Sequence, residues 1–298
     1  MGVTMSAINT MGAIKRAGAA ALAMLYAVAV ALAPACASRA DINAPAIGVH
    51  AATTTAVARN VDSNIDSSIG SLRPALASLA PSQQAEKPWT SASRVEPFGV
   101  QLAAAGDARL GEKWQGVREA MAAEVDMLAR CRADRLHCPS VGATRFLAIV
   151  DTAGKRDGRA RLGAINRAVN LAIRPQSDLA QYGVIDRWAP PLDALARGAG
   201  DCEDYAITKY AALRVAGVDD ADLRLVVVHD IRLREDHAVL AARLDGHWLV
   251  LDNRRLLMLE DSQLPDYVPL FMLGDEGAHP VDGYGLQAAA VASRAKAL

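Results

Sequence analysis

Gly198-Ala-Gly-Asp-Cys-Glu-Asp-Tyr205 is the stretch on which the reading of this chain turns. The flexible Gly198-Ala199-Gly200 ends one segment, and Asp201 is suited to cap the helix that follows. That helix is expected to start at Asp201 or Cys202 and to end near Gly217, whose missing Cβ suits a helix C-terminus. Cys202, Ala206, Tyr210 and Leu213 then share one face, so the sulfur stands at the open end of a packed stripe. A thiol there is held rigidly, next to backbone N–H groups and the positive end of the helix dipole.

Downstream the pattern turns to strands, Leu223–Val228, His237–Leu244 and His247–Leu251. Asp245-Gly246 between the last two predicts a two-residue hairpin. Counting back from that turn, Asp252 faces Val239, and His237 lies two residues along on the same face, within diagonal reach. A register slip of one residue would put the two side chains on opposite faces.

Cys202, His237 and Asp252 therefore supply what covalent catalysis by a thiol needs: a nucleophile, a base that can return its proton to the leaving group, and an acid that fixes the base. An imidazolium at His237 and the helix start both favour the thiolate. An oxyanion donor is required too. The Cys202 backbone N–H is one candidate, and the Trp188 indole is a second, although core packing is the better account of that tryptophan. Of the other histidines, only His229, followed by Asp230 at a strand end, rivals His237, and it lacks a matched acid across the predicted hairpin.

Asp201, Glu203 and Asp204 work against the thiolate, because three carboxylates beside a sulfur raise its pKa. A hard cation with oxygen ligands, calcium before magnesium, would offset them. From the tripeptide alone, a helix cap followed by two solvated acids is the other reading.

Upstream, Leu110, Trp114, Val117, Met121, Val125 and Leu128 recur at helical steps and predict one amphipathic helix before Cys131. Leu162, Ile165, Val169, Ala172 and Ile173 predict a second, on which Asn166 and Asn170 lie one turn apart and face either the site or solvent. The chain divides into residues 1–37, 38–88, 89–285 and 286–298. The first has Lys15 and Arg16, an uncharged run from Ala17 to Ala33 and the small-x-small Ala35-Cys36-Ala37, which reads as a signal peptide; a retained anchor is the other reading. The second is a low-complexity linker, the third the globular domain and the fourth a tail. With 32 basic against 33 acidic side chains and no basic cluster, nothing favours nucleic acid.

Cleavage after Ala37 leaves Cys131, Cys138 and Cys202. In an oxidising compartment Cys131 and Cys138 could pair and leave Cys202 as the unpaired thiol; three reduced thiols are the alternative.

Taken together, Asp186-Arg-Trp188-Ala-Pro190, Gly200-Asp-Cys-Glu-Asp-Tyr205-Ala-Ile-Thr-Lys209-Tyr, His237-Ala-Val-Leu240 and Val250-Leu-Asp252-Asn253 resemble the bacterial transglutaminase-like cysteine proteinases of the LapG type. The likeness covers roughly residues 110–275. It implies a papain-like, transglutaminase-like α+β fold, with the catalytic cysteine at a helix N-terminus packed on an antiparallel sheet. It also implies periplasmic endoproteolysis of a large surface adhesin near its N-terminus, which releases cells from a biofilm. The family's triad falls on Cys202, His237 and Asp252, and its calcium-binding acids on Asp201 and Glu203, with Asp204 a further candidate ligand. An inner-membrane cyclic di-GMP receptor is the family's regulatory partner. Two other functions fit the same residues. Acyl transfer to an amine uses the same triad with a different acceptor, and a non-catalytic calcium- or adhesin-binding module would keep the fold alone.

Overall fold

A computed structural model of the chain describes residues 95–283; the signal peptide, the linker and the tail expected from the sequence lie outside the described residues. Helices come first and strands last, as expected of an α+β domain. Helix α1 (Ala108–Ala123) is capped by Asp107, whose carboxylate accepts from Leu110 N at 2.8 Å. The single helix expected through Leu128 is instead two, because α2 (Val125–Ala133) starts afresh after Glu124. Glu124 N–H reaches back to the Ala120 and Met121 carbonyls, each at 3.2 Å, while its carboxylate turns inward to accept from Leu192 N at 3.2 Å. A polar anchor thus breaks a run that is apolar in period.

Helix α3 (Val141–Gly154) is capped by Ser140, and α4 (Gly158–Ala172) is the second helix expected from the sequence. Next come the two-residue β1 (Arg174–Pro175), α5 (Asp178–Tyr182) and α6 (Pro191–Arg197). At Gly142 an added Cβ would stand 2.0 Å from Leu192 O, so only glycine lets α3 approach α6 this closely. Then β2 (Ala199–Gly200) pairs in parallel with β1 and leads into α7 (Cys202–Val215).

α7 stops as predicted. Gly217, at φ +89°, donates to Arg214 O, and Val218 N reaches Leu213 O, the paired bonds of a Schellman end. The amphipathic stripe expected of α7 is an understatement, however, because the helix is buried on nearly every side, down to Thr208 and Lys209. It runs between the other helices and the sheet.

The sheet comprises β3 (Leu223–Asp230), β4 (Glu235–Leu244), β5 (His247–Leu251), β6 (Leu259–Glu260), β7 (Tyr267–Gly274) and β8 (Gly277–Pro280). Its order is β6-β5-β4-β3-β7-β8, and every pairing is antiparallel. Leu244 pairs His247 and Leu240 pairs Leu251, the register a two-residue loop requires, with Asp245 at φ +53° and Gly246 at φ +83°. One face packs on the helices through Leu223, Leu225, Leu240, Leu249 and Leu251. The other face carries Val226, Val239, Trp248, Val250 and Tyr267, and residues 95–103 cover it. That cover is pinned by a buried Arg224–Glu96 pair at 2.9 Å and by Trp248 Nε1 donating to Val95 O at 2.8 Å. Cys131 and Cys138 form a disulfide, S–S 2.06 Å, which selects the paired alternative left open by the sequence. Among the described residues no helix is long and apolar enough to cross a membrane.

Candidate active site

Cys202 is the first residue of α7, and its sulfur meets the strand that carries the histidine: Ala238 N donates to Sγ at 3.2 Å, so the sulfur abuts the His237–Ala238 peptide. Across the β4–β5 hairpin, His237 Nε2 and Asp252 Oδ1 are 2.9 Å apart. Cys202, His237 and Asp252 are 4%, 1% and 2% exposed, so protein groups rather than bulk water set their charges.

Burial by itself pushes Asp252 toward the neutral acid, but the bonds from His237, Arg254 N and the Tyr267 hydroxyl outweigh it and hold the carboxyl below its ordinary range. Charge-assisted hydrogen bonds contribute about 1.5–3 kcal/mol each, so three can offset the several kcal/mol that a desolvated carboxylate costs. For His237 burial wins, and its pKa falls below the ordinary 6.5 although Asp252 pulls the other way. The resting pair is therefore a carboxylate and a neutral imidazole. The proton sits on Nε2, facing the acid, which leaves Nδ1 as the basic nitrogen.

The backbone of the Asp252 turn is held as firmly as its side chain. Asn170 Nδ2 donates to Asp252 O at 2.8 Å and to Arg255 O at 2.9 Å, and Asn166 Nδ2 donates to Arg255 O and Leu256 O. Both asparagines thus face the site's supporting loop rather than solvent. From within α7, the buried Lys209 donates to Leu251 O at 3.2 Å; burial brings its pKa down to about 7. Trp188 is half-buried and packs against the helical core, with Lys113 Nζ 5.3 Å from its ring centre. His229, the weaker candidate base, does have an acid across the β3–β4 pairing, contrary to expectation: Asp236 Oδ1 lies 2.9 Å from its Nδ1.

Cys202 is disulfide-bonded in the uncut chain, whereas the unpaired thiol is expected of a chain cut after Ala37.

The acids beside the sulfur gather around a residue that sequence reasoning missed. One carboxylate oxygen from each of Asp178, Asp201 and Glu203 lies within 4.8 Å of the others, a grouping that could hold a metal ion. Asp178 comes from a distant segment because β1 pairs with β2, and a two-residue bridge leaves no pattern to read. Asp201 occupies the N-cap position without making a capping bond. Glu203 Oε2 is 3.2 Å from Cys202 Sγ. Asp204 stands outside this grouping. Its Oδ1 accepts from Ala189 N at 2.9 Å, and it folds back over Gly200, where a Cβ would stand 2.7 Å from Oδ2.

Burial, and then the charge of the neighbouring acids, raises the pKa of Asp201, Glu203 and Asp204, the last to about 8; burial also raises Asp178. Asp178 Oδ1, Asp201 Oδ1 and Asp204 Oδ2 are buried without a hydrogen-bond donor. Desolvated oxygens of one charge are what an oxygen-seeking divalent cation requires, so these residues fit calcium.

Residues 121–267 match the family model of the bacterial transglutaminase-like cysteine proteinases. No curated protein matches the chain. Among solved structures, calcium-bound LapG of Legionella pneumophila is similar at 28% identity over 47% of this chain and 77% of that one, with a TM-score of 0.42. A second structure of Legionella pneumophila LapG aligns at 23% identity over 62% and 95% of the two chains, TM-score 0.40. An EGTA-treated form aligns at 23% identity over 58% and 83%, TM-score 0.39.

Proposed function

Because residues 121–267 belong to the bacterial transglutaminase-like cysteine proteinases, and the chain is thereby a cysteine peptidase, we propose that it is a calcium-dependent endopeptidase working through Cys202, His237 and Asp252. The observation that carries this reading is the buried His237–Asp252 pair, set against a sulfur at a helix start.

His237 Nδ1 takes the thiol proton as Cys202 Sγ bonds to the scissile carbonyl carbon. The oxyanion forms near the Cys202 backbone N–H. Collapse breaks the C–N bond, and His237 returns its proton to the departing amine. Water then adds to the thioester, with its proton passing to Nδ1, and the acid and the free thiol are released. Asp252 keeps the imidazole in one tautomer throughout and is not itself protonated.

These steps need the sulfur as a thiol, so the active form is the reduced one. A chain cut after Ala37 retains no cysteine beyond Cys131, Cys138 and Cys202, and the first two are bonded to each other. Asp178, Asp201 and Glu203 would hold calcium, whose charge would balance the carboxylates that otherwise oppose a thiolate.

The family resemblance directs the activity to the periplasm, to the N-terminal region of a large surface adhesin, and to control by an inner-membrane cyclic di-GMP receptor. The test is to incubate the reduced chain with the N-terminal segment of a very large repeat-containing protein secreted by the same cells, with calcium or with a chelator. Cleavage that needs calcium and disappears in Cys202→Ala is expected. Cleavage that survives in Cys202→Ala would contradict the assignment.

A further inference from the structure

The mechanism uses one oxygen of Asp252, and what holds the other is a phenol from a separate strand. Oδ1 receives His237 Nε2 and Arg254 N, each at 2.9 Å. Oδ2 receives the Tyr267 hydroxyl at 2.7 Å, with Arg255 Nε further off at 3.9 Å. The same tyrosine sets the edge of its ring against the His237 imidazole, the centroids 6.0 Å apart and the planes at 72°.

We propose that Tyr267 is a positioning residue of the active site, fixing the Asp252 carboxylate and the His237 ring together. This inference rests on the cysteine-peptidase reading above.

A carboxylate held at only one oxygen can swing about its Cβ–Cγ bond, and the aim of Oδ1 at Nε2 is then lost for part of the time. A short bond to the second oxygen prevents that swing. Tyr267 is well placed to act as a fixed reference. It opens β7, which pairs with β3 and β8 and not with the hairpin that carries His237 and Asp252. Its support therefore comes from a strand outside that hairpin, joined to it across β3. Burial first, and the Asp252 charge second, keep the phenol protonated, so it remains a donor at any working pH. The other charged groups facing the pair are Lys209 from α7 and Arg254 and Arg255 from the turn after β5. Replacing the phenol by a phenyl ring leaves all of them in place.

The test uses the reduced full chain and hydrolysis of p-nitrophenyl acetate, which needs no knowledge of the natural substrate. Tyr267→Phe is expected to lower kcat about tenfold, the equivalent of about 1.4 kcal/mol, with KM unchanged. It should also move the low-field N–H proton resonance of His237, which a purely packing role would leave alone. Tyr267→Leu, which removes the ring as well, should lose more. Asp252→Asn serves as the benchmark. If it is strongly impaired while Tyr267→Phe keeps kcat within twofold and an unmoved resonance, the positioning role is overturned. A raised KM at unchanged kcat would overturn it as well, by making Tyr267 a binding residue. Full activity in Cys202→Ala would remove the cysteine-peptidase reading itself.

Discussion

In the proposed mechanism His237 acts under a competition between its burial and its acid. Burial depresses its pKa, the Asp252 bond raises it, and burial wins. The basic form of the imidazole, which the acylation step requires, is therefore populated above a pKa lower than the ordinary 6.5, and protonation removes it as the pH falls through that value. The acidic limb of kcat/KM is expected to have its midpoint below pH 6.5; a midpoint above 7 would mean that the carboxylate dominates instead. At this scale the sequence was informative about the groups proposed to react and silent about those that hold them. Cys202, His237 and Asp252 could be named from spacing and one turn signal. Tyr267 and Asp178 could not, because each arrives through a pairing between distant segments.

Two elements carry the site, the start of α7 and the β4–β5 hairpin, and both could be read because their ends are marked by residues with one conformational purpose. Gly217 ends the helix at positive φ, and Asp245-Gly246 fixes the hairpin register from which the His237–Asp252 contact follows. Glu124 gave no comparable signal. Its neighbours keep a helical period, and only its bond to Leu192 N explains the break between α1 and α2. The start of α7 also depends on Gly200, where a Cβ would fall 2.7 Å from Asp204 Oδ2 and 2.8 Å from Asp204 Cβ. Gly200→Ala is thus expected to push the first turn of the helix away from β2. Activity should fall at least tenfold and calcium should bind more weakly by isothermal titration, while far-ultraviolet circular dichroism stays near that of the parent. Unchanged calcium affinity would separate Asp204 and Gly200 from the acid cluster.

For the whole molecule, the acid cluster links stability to pH and, through the proposed ion site, to calcium. Asp204 has a folded pKa of about 8 against an ordinary value near 4, so the folded chain holds a proton that the unfolded chain releases. Stability without a cation must then fall as pH rises through that window, the reverse of an ordinary salt-bridged carboxylate. Asp201 and Glu203 contribute in the same direction. A bound divalent cation would reverse the penalty by stabilising the ionised forms. The difference in Tm between calcium-loaded and chelated protein is therefore predicted to widen from pH 5 to pH 8 in differential scanning calorimetry. A difference that stayed constant or narrowed would place calcium elsewhere. The long-range architecture behind this cluster, with helices before strands and residues 95–103 laid over the outer face of the sheet, was only partly legible. The sequence marks where elements start and stop but not which sheet face the preceding chain covers.

The central claim is that the sulfur at the head of α7 becomes acylated during turnover. Rapid acid quenching of the reduced chain during p-nitrophenyl acetate hydrolysis, followed by mass mapping of its peptides, tests this directly. An acetyl group on the peptide containing Cys202, absent in His237→Ala, is the predicted result; turnover with the acetyl group on another residue, or with no adduct at all, would contradict it.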